Sequence, residues 1–144
     1  MGDKRILLVE DNADDVELTL RAFDKVDLRN DIVVARDGQE ALDILLGRRF
    51  RQDLAGTLPT VVLLDLELPR VGGLEVLRRL REHERTRLLP VVILTSSREQ
   101  RDLVRSYSLG VNSYVRKPVA FSAFVEAVRQ LGLYWLFLNE QPAV

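Results

Sequence analysis

The sequence predicts an α/β domain: a doubly wound, five-stranded parallel sheet of order 2-1-3-4-5, flanked by helices on both faces. Two observations carry that expectation. Five short apolar runs, rich in Val, Ile and Leu, recur along the chain and are continuous where a half-exposed strand would alternate, the pattern of strands buried on both faces. An amphipathic stretch of helical period follows each run, and five β–α units in a row build an open parallel sheet. The length of 144 residues and the hydrophobic content of 47% suit one such domain.

In chain order the runs are "RILLV" (5–9), "DIVVA" (31–35), "TVVLL" (60–64), "PVVIL" (90–94) and "NSYV" (112–115). The helical patterns lie at 13–26 (Val16, Leu20, Phe23, Val26), 38–47 (Ala41, Leu42, Leu45, Leu46), 73–83 (Leu74, Val76, Leu77, Leu80), 98–109 (Leu103, Val104, Tyr107, Leu109) and 120–131 (Phe121, Phe124, Val125, Val128, Leu131). Residues 48–58, "RRFRQDLAGTL", read as an enlarged loop before the third strand. Residues 131–144 read as an apolar C-terminal extension of a single domain spanning 1–144.

Composition removes several classes of function. Lys plus Arg is 21 and Asp plus Glu is 22, so no general nucleic-acid surface or acidic tail is expected. The absence of cysteine excludes disulfides and thiolate chemistry, and the single histidine, His83, argues against a His-based metal site or triad. No apolar run approaches the roughly 20 residues of a membrane span, and charges interrupt the N-terminus where a signal peptide would need an apolar stretch. A cytoplasmic protein is expected.

Sheets of this kind gather ligands at the carboxyl ends of their strands, where strand order reverses. The first strand runs into Glu10 and Asp11, and the third into Asp65. These strands are neighbours in the expected order, about 5 Å apart. Two carboxylates at that distance repel by about 3 kcal/mol at an effective dielectric near 20, so the cluster calls for a cation or a raised pKa. All-oxygen donors suit Mg²⁺. Acidic residues at strand ends also serve as caps, and "EDNADD" equally reads as a helix start with Asn12 or Asp14 capping. The fourth strand runs into Thr95 and the fifth into Lys117 and Pro118. Each is commonplace alone; together with Asp65 they make a phosphoryl-acceptor arrangement, with the carboxylate as nucleophile.

"ILLVEDNADD", "LLDLELPRVGG", "VVILTSS" and "SYVRKP" resemble, in order and over nearly the whole length, the receiver domains of two-component response regulators, which have a flavodoxin-like fold. The resemblance implies that Asp65 accepts a phosphoryl group from a sensor histidine kinase and that Asp11 binds Mg²⁺ directly. Glu10 would bind through water, with Asp65 and the Glu67 backbone carbonyl completing the metal site. It implies further that Thr95 hydrogen-bonds a phosphoryl oxygen, that Lys117 pairs with the phosphorylated aspartate, and that the Lys117–Pro118 bond is cis. Tyr114 stands where the family has a rotating aromatic, so Thr95 and Tyr114 would switch the face of residues 98–129; an aromatic there also serves as plain edge packing. The family pattern departs at Glu10, where aspartate is common, and at Gly72 and Ser96.

The tail "QLGLYWLFLNEQPAV" and the enlarged 48–58 loop resemble the single-domain regulators that partner bacterial phytochrome kinases. An apolar tail this dense is not left in water. It either packs on its own domain or makes a two-fold contact in a homodimer, with Phe121, Phe124, Trp135 and Leu138 as interface candidates. Three rival readings are weaker. The intact Asp65, Thr95 and Lys117 argue against a receiver-like binding module that no longer accepts phosphate. A haloacid-dehalogenase-type phosphatase would want aspartate where Glu67 stands. An FMN carrier would want a phosphate loop where the strongly anionic "EDNADD" stands.

Overall fold

The computed structural model describes residues 4–27 and 32–142. Five parallel strands, β1 (Ile6–Val9), β2 (Ile32–Ala35), β3 (Val61–Leu64), β4 (Val91–Thr95) and β5 (Ser113–Arg116), form one sheet of order β2-β1-β3-β4-β5. The expected strand order holds, and each run falls within a residue of its strand. Asp31, which begins the second run, lies outside the described residues.

Side chains alternate across each strand, and the two faces take separate cores. Leu7, Val9, Val62, Leu64, Val91 and Ile93 face α2 (Gly38–Leu45), α3 (Phe50–Leu54) and α4 (Gly73–Glu82). Ile6, Leu8, Val61, Leu63, Val92 and Leu94 face α1 (Ala13–Asp24) and α6 (Phe121–Leu133). β1, β3 and β4 are buried throughout, which is why their sequences run apolar without alternation; β2 and β5 are the half-buried edges. α5 (Gln100–Ser108) packs beside α4 and buries only Ser106 fully.

Residues 48–58 are not the plain loop expected. They hold α3, a single short helix in which Leu54 is fully buried, Phe50 borders the core, and Arg49 and Asp53 form an i,i+4 ion pair at 2.6 Å. Ala55 and Gly56, both at positive φ, end it. Five residues are too few for a helical period to be read from sequence.

The tail continues α6 into one turn of π-helix, Tyr134–Leu138. Trp135 and Leu136 are buried in the α1–α6 core together with Phe124. Phe124 and Trp135 are thereby corrected as interface candidates: their area is already buried within the chain. Phe121 and Leu138 remain exposed, with Leu133, Tyr134 and Phe137. The Lys4 ammonium bonds the Leu136 carbonyl and lies over the Phe137 ring, fastening the turn to the start of β1. No helix among the described residues is long and apolar enough to cross a membrane.

Candidate functional site: a strand-end aspartate between a hydroxyl and an ammonium

The site lies at the carboxyl ends of β1, β3, β4 and β5. Register places Val9 beside Leu64, so Glu10 and Asp65 emerge side by side, and the Asp65 N–H bonds the Val9 carbonyl at 3.1 Å. Register also places Thr95 beside Arg116, and the Lys117 N–H bonds the Thr95 carbonyl at 2.8 Å. Four adjacent strand ends thus deliver Glu10, Asp65, Thr95 and Lys117 to one point.

Asp65 is 8% exposed and both of its carboxylate oxygens are engaged. Oδ1 accepts from the Thr95 hydroxyl at 2.9 Å and from the Glu67 N–H at 3.2 Å. Oδ2 accepts from Lys117 Nζ at 3.1 Å. Thr95 is wholly buried. The Lys117 ammonium also donates to Glu10 Oε1 at 2.5 Å and to Asp15 Oδ2 at 2.9 Å. Sequence reasoning missed Asp15. Its signal was present: it sits in the first turn of α1, whose N-cap is Asn12, and so beside the carboxyl end of β1.

Burial raises the Glu10 carboxyl to about 7; the Lys117 hydrogen bond opposes that shift and the charge of Asp65 adds to it. Burial works against the Lys117 ammonium, yet its contacts with Glu10, Asp15 and Asp65 outweigh burial and push its pKa up.

The expected metal ligands are not assembled. Among the described residues no three Asp, Glu, His or Cys side chains are arranged around a common metal position. Asp11 is exposed, and the Lys117 ammonium stands between Glu10 and Asp65. The donor chemistry nonetheless fits a hard divalent cation: every group is an oxygen, and the buried Glu10 carboxylate is incompletely compensated by one ammonium. The Glu67 side chain is exposed, and only its backbone faces Asp65.

The expected cis bond is also absent. Every peptide bond among the described residues is trans, Lys117–Pro118 included. Trans is the favoured form of an X–Pro bond by about 0.5–1 kcal/mol. The Lys117 backbone bond to Thr95 already places the side chain at the sheet end without a cis turn.

Tyr114 borders the core on the side of α2 and α4, and its hydroxyl is buried near Ser97. Burial raises its pKa, with the nearby Ser97 acting in the opposite sense. The loop after Asp65 is held from outside. The Gly38 N–H bonds the Pro69 carbonyl at 3.4 Å, and the Asp37 carboxylate pairs with Arg70 at 3.5 Å. Arg70 itself takes a left-handed φ of 69°. The loop closes by a bond from the Gly73 N–H to the Leu66 carbonyl at 3.0 Å. A Cβ at Gly73 would stand 2.3 Å from the Asp65 carbonyl oxygen, so only glycine lets α4 begin there.

A parallel sheet of this order, with a buried aspartate held between a hydroxyl and an ammonium at its carboxyl edge, defines a receiver-type signalling domain. The family model for the response regulator receiver domain matches residues 6–129, and the chain belongs to that family. It is a response regulator of phosphorelay signalling, and phytochrome response regulators are among its homologues. The structure of the bacteriophytochrome response regulator AtBRR is 55% identical, covers 95% of this chain and 98% of its own, and superposes with a TM-score of 0.73. That of the phosphorylated cyanobacterial phytochrome response regulator RcpA is 33% identical, covers 99% and 100%, and has a TM-score of 0.86. The Mn²⁺-bound form of the response regulator Rcp1 is 30% identical over 97% and 99%, with a TM-score of 0.83. A curated relative, the probable methanogenesis regulatory protein FilR2 of Methanothrix harundinacea, is 44% identical over 95% of this chain and 86% of its own.

Proposed function

We propose that Asp65 is the phosphoryl acceptor and that the donor is the phosphohistidine of a sensor histidine kinase, a bacterial phytochrome in this case. One observation carries the reading: each oxygen of a buried strand-end carboxylate is already met by a different group suited to phosphoryl oxygens, the Thr95 hydroxyl and the Lys117 ammonium. The resemblance of sequence and fold to AtBRR and RcpA supports the phytochrome partner.

In the transfer an Asp65 carboxylate oxygen attacks phosphorus. A P–O bond forms and the P–N bond of the donor breaks. The electron pair leaves with the imidazole nitrogen, which takes a proton from water. Lys117 neutralises charge on the phosphoryl oxygens and Thr95 donates a hydrogen bond to one of them. Glu10, Asp11, Asp65 and the Glu67 carbonyl would hold Mg²⁺, which supplies further charge neutralisation; Rcp1 has a Mn²⁺-bound form. Strand register fixes the backbones of Thr95 and Lys117, so what moves is their side chains.

The response to phosphorylation starts at Thr95 and Tyr114. The Tyr114 hydroxyl is buried beside Ser97, two residues past Thr95, so a shift of Thr95 reaches the ring through that segment. Its readout is the face of residues 98–129. A second copy of this chain is the partner that the exposed Phe121, Leu133, Tyr134, Phe137 and Leu138 fit. Sedimentation is expected to show a dimer that Leu138→Glu weakens about tenfold, the size of one lost apolar anchor; a monomer at every concentration overturns that contact. The chain acts in the cytoplasm.

The test of the acceptor is intact mass after incubation with acetyl phosphate and Mg²⁺. Wild type is expected to gain one labile phosphoryl group and Asp65→Asn none. A gain that persists in Asp65→Asn moves the acceptor elsewhere. No gain in folded, Mg²⁺-bound wild type removes the reading for small donors.

A further inference from the structure

The Lys117 ammonium has three N–H groups, and all three are committed, to Glu10, Asp15 and Asp65. If Lys117 is to meet an incoming phosphoryl oxygen, one of these bonds must be given up. The three acceptors differ in what their release costs. The Glu10 and Asp65 side chains are 4% and 9% exposed, so in the resting protein, before a cation or the phosphoryl group arrives, either would be left as a buried, uncompensated carboxylate. The Asp15 side chain is 32% exposed, so water can replace the ammonium there. Asp15 also lies in the first turn of α1, where the helix N-terminus favours a negative charge with or without the lysine.

We propose that Asp15 is a positioning residue for phosphoryl transfer: it holds the Lys117 ammonium back in the resting protein, and its release frees the N–H that meets the phosphoryl oxygen. It acts through Lys117 and touches neither donor nor acceptor. The inference rests on Asp65 being the acceptor. Asp15 belongs to none of the metal, acceptor or switch positions that the family resemblance implies, and its effect is a brake: the Asp15 bond must break before Lys117 can take its place in the transition state.

Asp14 supplies the control. It is a neighbouring carboxylate in the same helical turn, exposed, and not among the partners of Lys117. Asp14→Asn removes the same charge from the same helix end without touching the tether. The experiment is the rate of phosphoryl incorporation from acetyl phosphate at saturating Mg²⁺, with a urea midpoint for every variant. Asp15→Asn is expected to be faster than both wild type and Asp14→Asn by about threefold, the size of one part-exposed ion pair. Asp15→Glu, which keeps the carboxylate, is expected to return to within about twofold of wild type. The nitrogen-15 resonance of the Lys117 ammonium should be sharp in wild type and Asp14→Asn and broadened by water exchange in Asp15→Asn. An Asp15→Asn rate equal to or below that of Asp14→Asn overturns the brake. A phosphoryl gain that persists in Asp65→Asn overturns the Asp65 reading itself, and the brake falls with it.

Discussion

Lys117→Ala is expected to lower the phosphorylation rate by about 100-fold or more, the usual cost of removing one preorganised donor from a developing anion. The same substitution should cost about 3 kcal/mol of stability near pH 8, because it leaves Glu10 and Asp65 buried without a counter-ion. The second effect has a sign in pH that separates it from lost packing. The Glu10 carboxyl already titrates near 7 with the lysine beside it, and the lysine is what holds it down against burial. Without Lys117 it rises further. A carboxyl whose folded pKa lies above its unfolded value stabilises the fold when protonated, and that contribution is lost as pH rises through the folded pKa. The variant's deficit should therefore shrink as pH falls from 8 to about 7 and stay level from there to pH 5. Urea melts across that range check it; a deficit that stays constant would mean that the lysine's apolar stem carries the loss.

Gly38→Ala is the second large effect, and it acts through packing. Gly38 opens α2 in an ordinary helical conformation, where alanine is intrinsically better by about 1 kcal/mol. Its Cβ, however, would stand 1.8 Å from the Val71 carbonyl oxygen and 2.7 Å from the Val71 carbonyl carbon. These are backbone atoms of the loop that follows Asp65, so no rotamer change relieves the overlap. The loop or the helix must shift, at a net loss of about 2 kcal/mol or more. Because that loop presents the Glu67 N–H to Asp65, phosphorylation should slow as well. Gly72→Ala, in the same loop, makes the contrast: its Cβ would meet nothing nearer than the Leu66 carbonyl at 4.0 Å, and its effect is expected to stay within about 0.5 kcal/mol. Thermal melts of the pair decide it, and equal losses would mean that the loop is sensitive to any added methyl group.

The strands were legible because three of them are buried on both faces, a condition that forces continuous apolar runs. Once the strands were placed, topology alone brought Glu10, Asp65, Thr95 and Lys117 to one edge. What sequence could not reach depends on side-chain reach and short elements. Asp15 meets Lys117 only because α1 starts directly beside the end of β1. α3 is a single turn and a half, held by Leu54 and one ion pair. Trp135 turns inward because the π-turn brings it against the α1–α6 core, which the tail's uniformly apolar composition does not distinguish from an outward course. Gly38 matters through contact with a loop some thirty positions away, and nothing local in "RDGQEA" signals that neighbour.

The sheet's depth profile has a consequence for how a message leaves the site. Asp65 follows β3, which is buried along its full length between two other buried strands, while Tyr114 sits on β5, a half-buried edge with one neighbour. Local opening is cheapest where few apolar contacts must be broken. On the proposed reading, chemistry is written into a strand buried along its length and read from a half-buried edge. Backbone noise at the reader does not blur the geometry of the writer, and a small event at a stiff centre is reported by a soft margin.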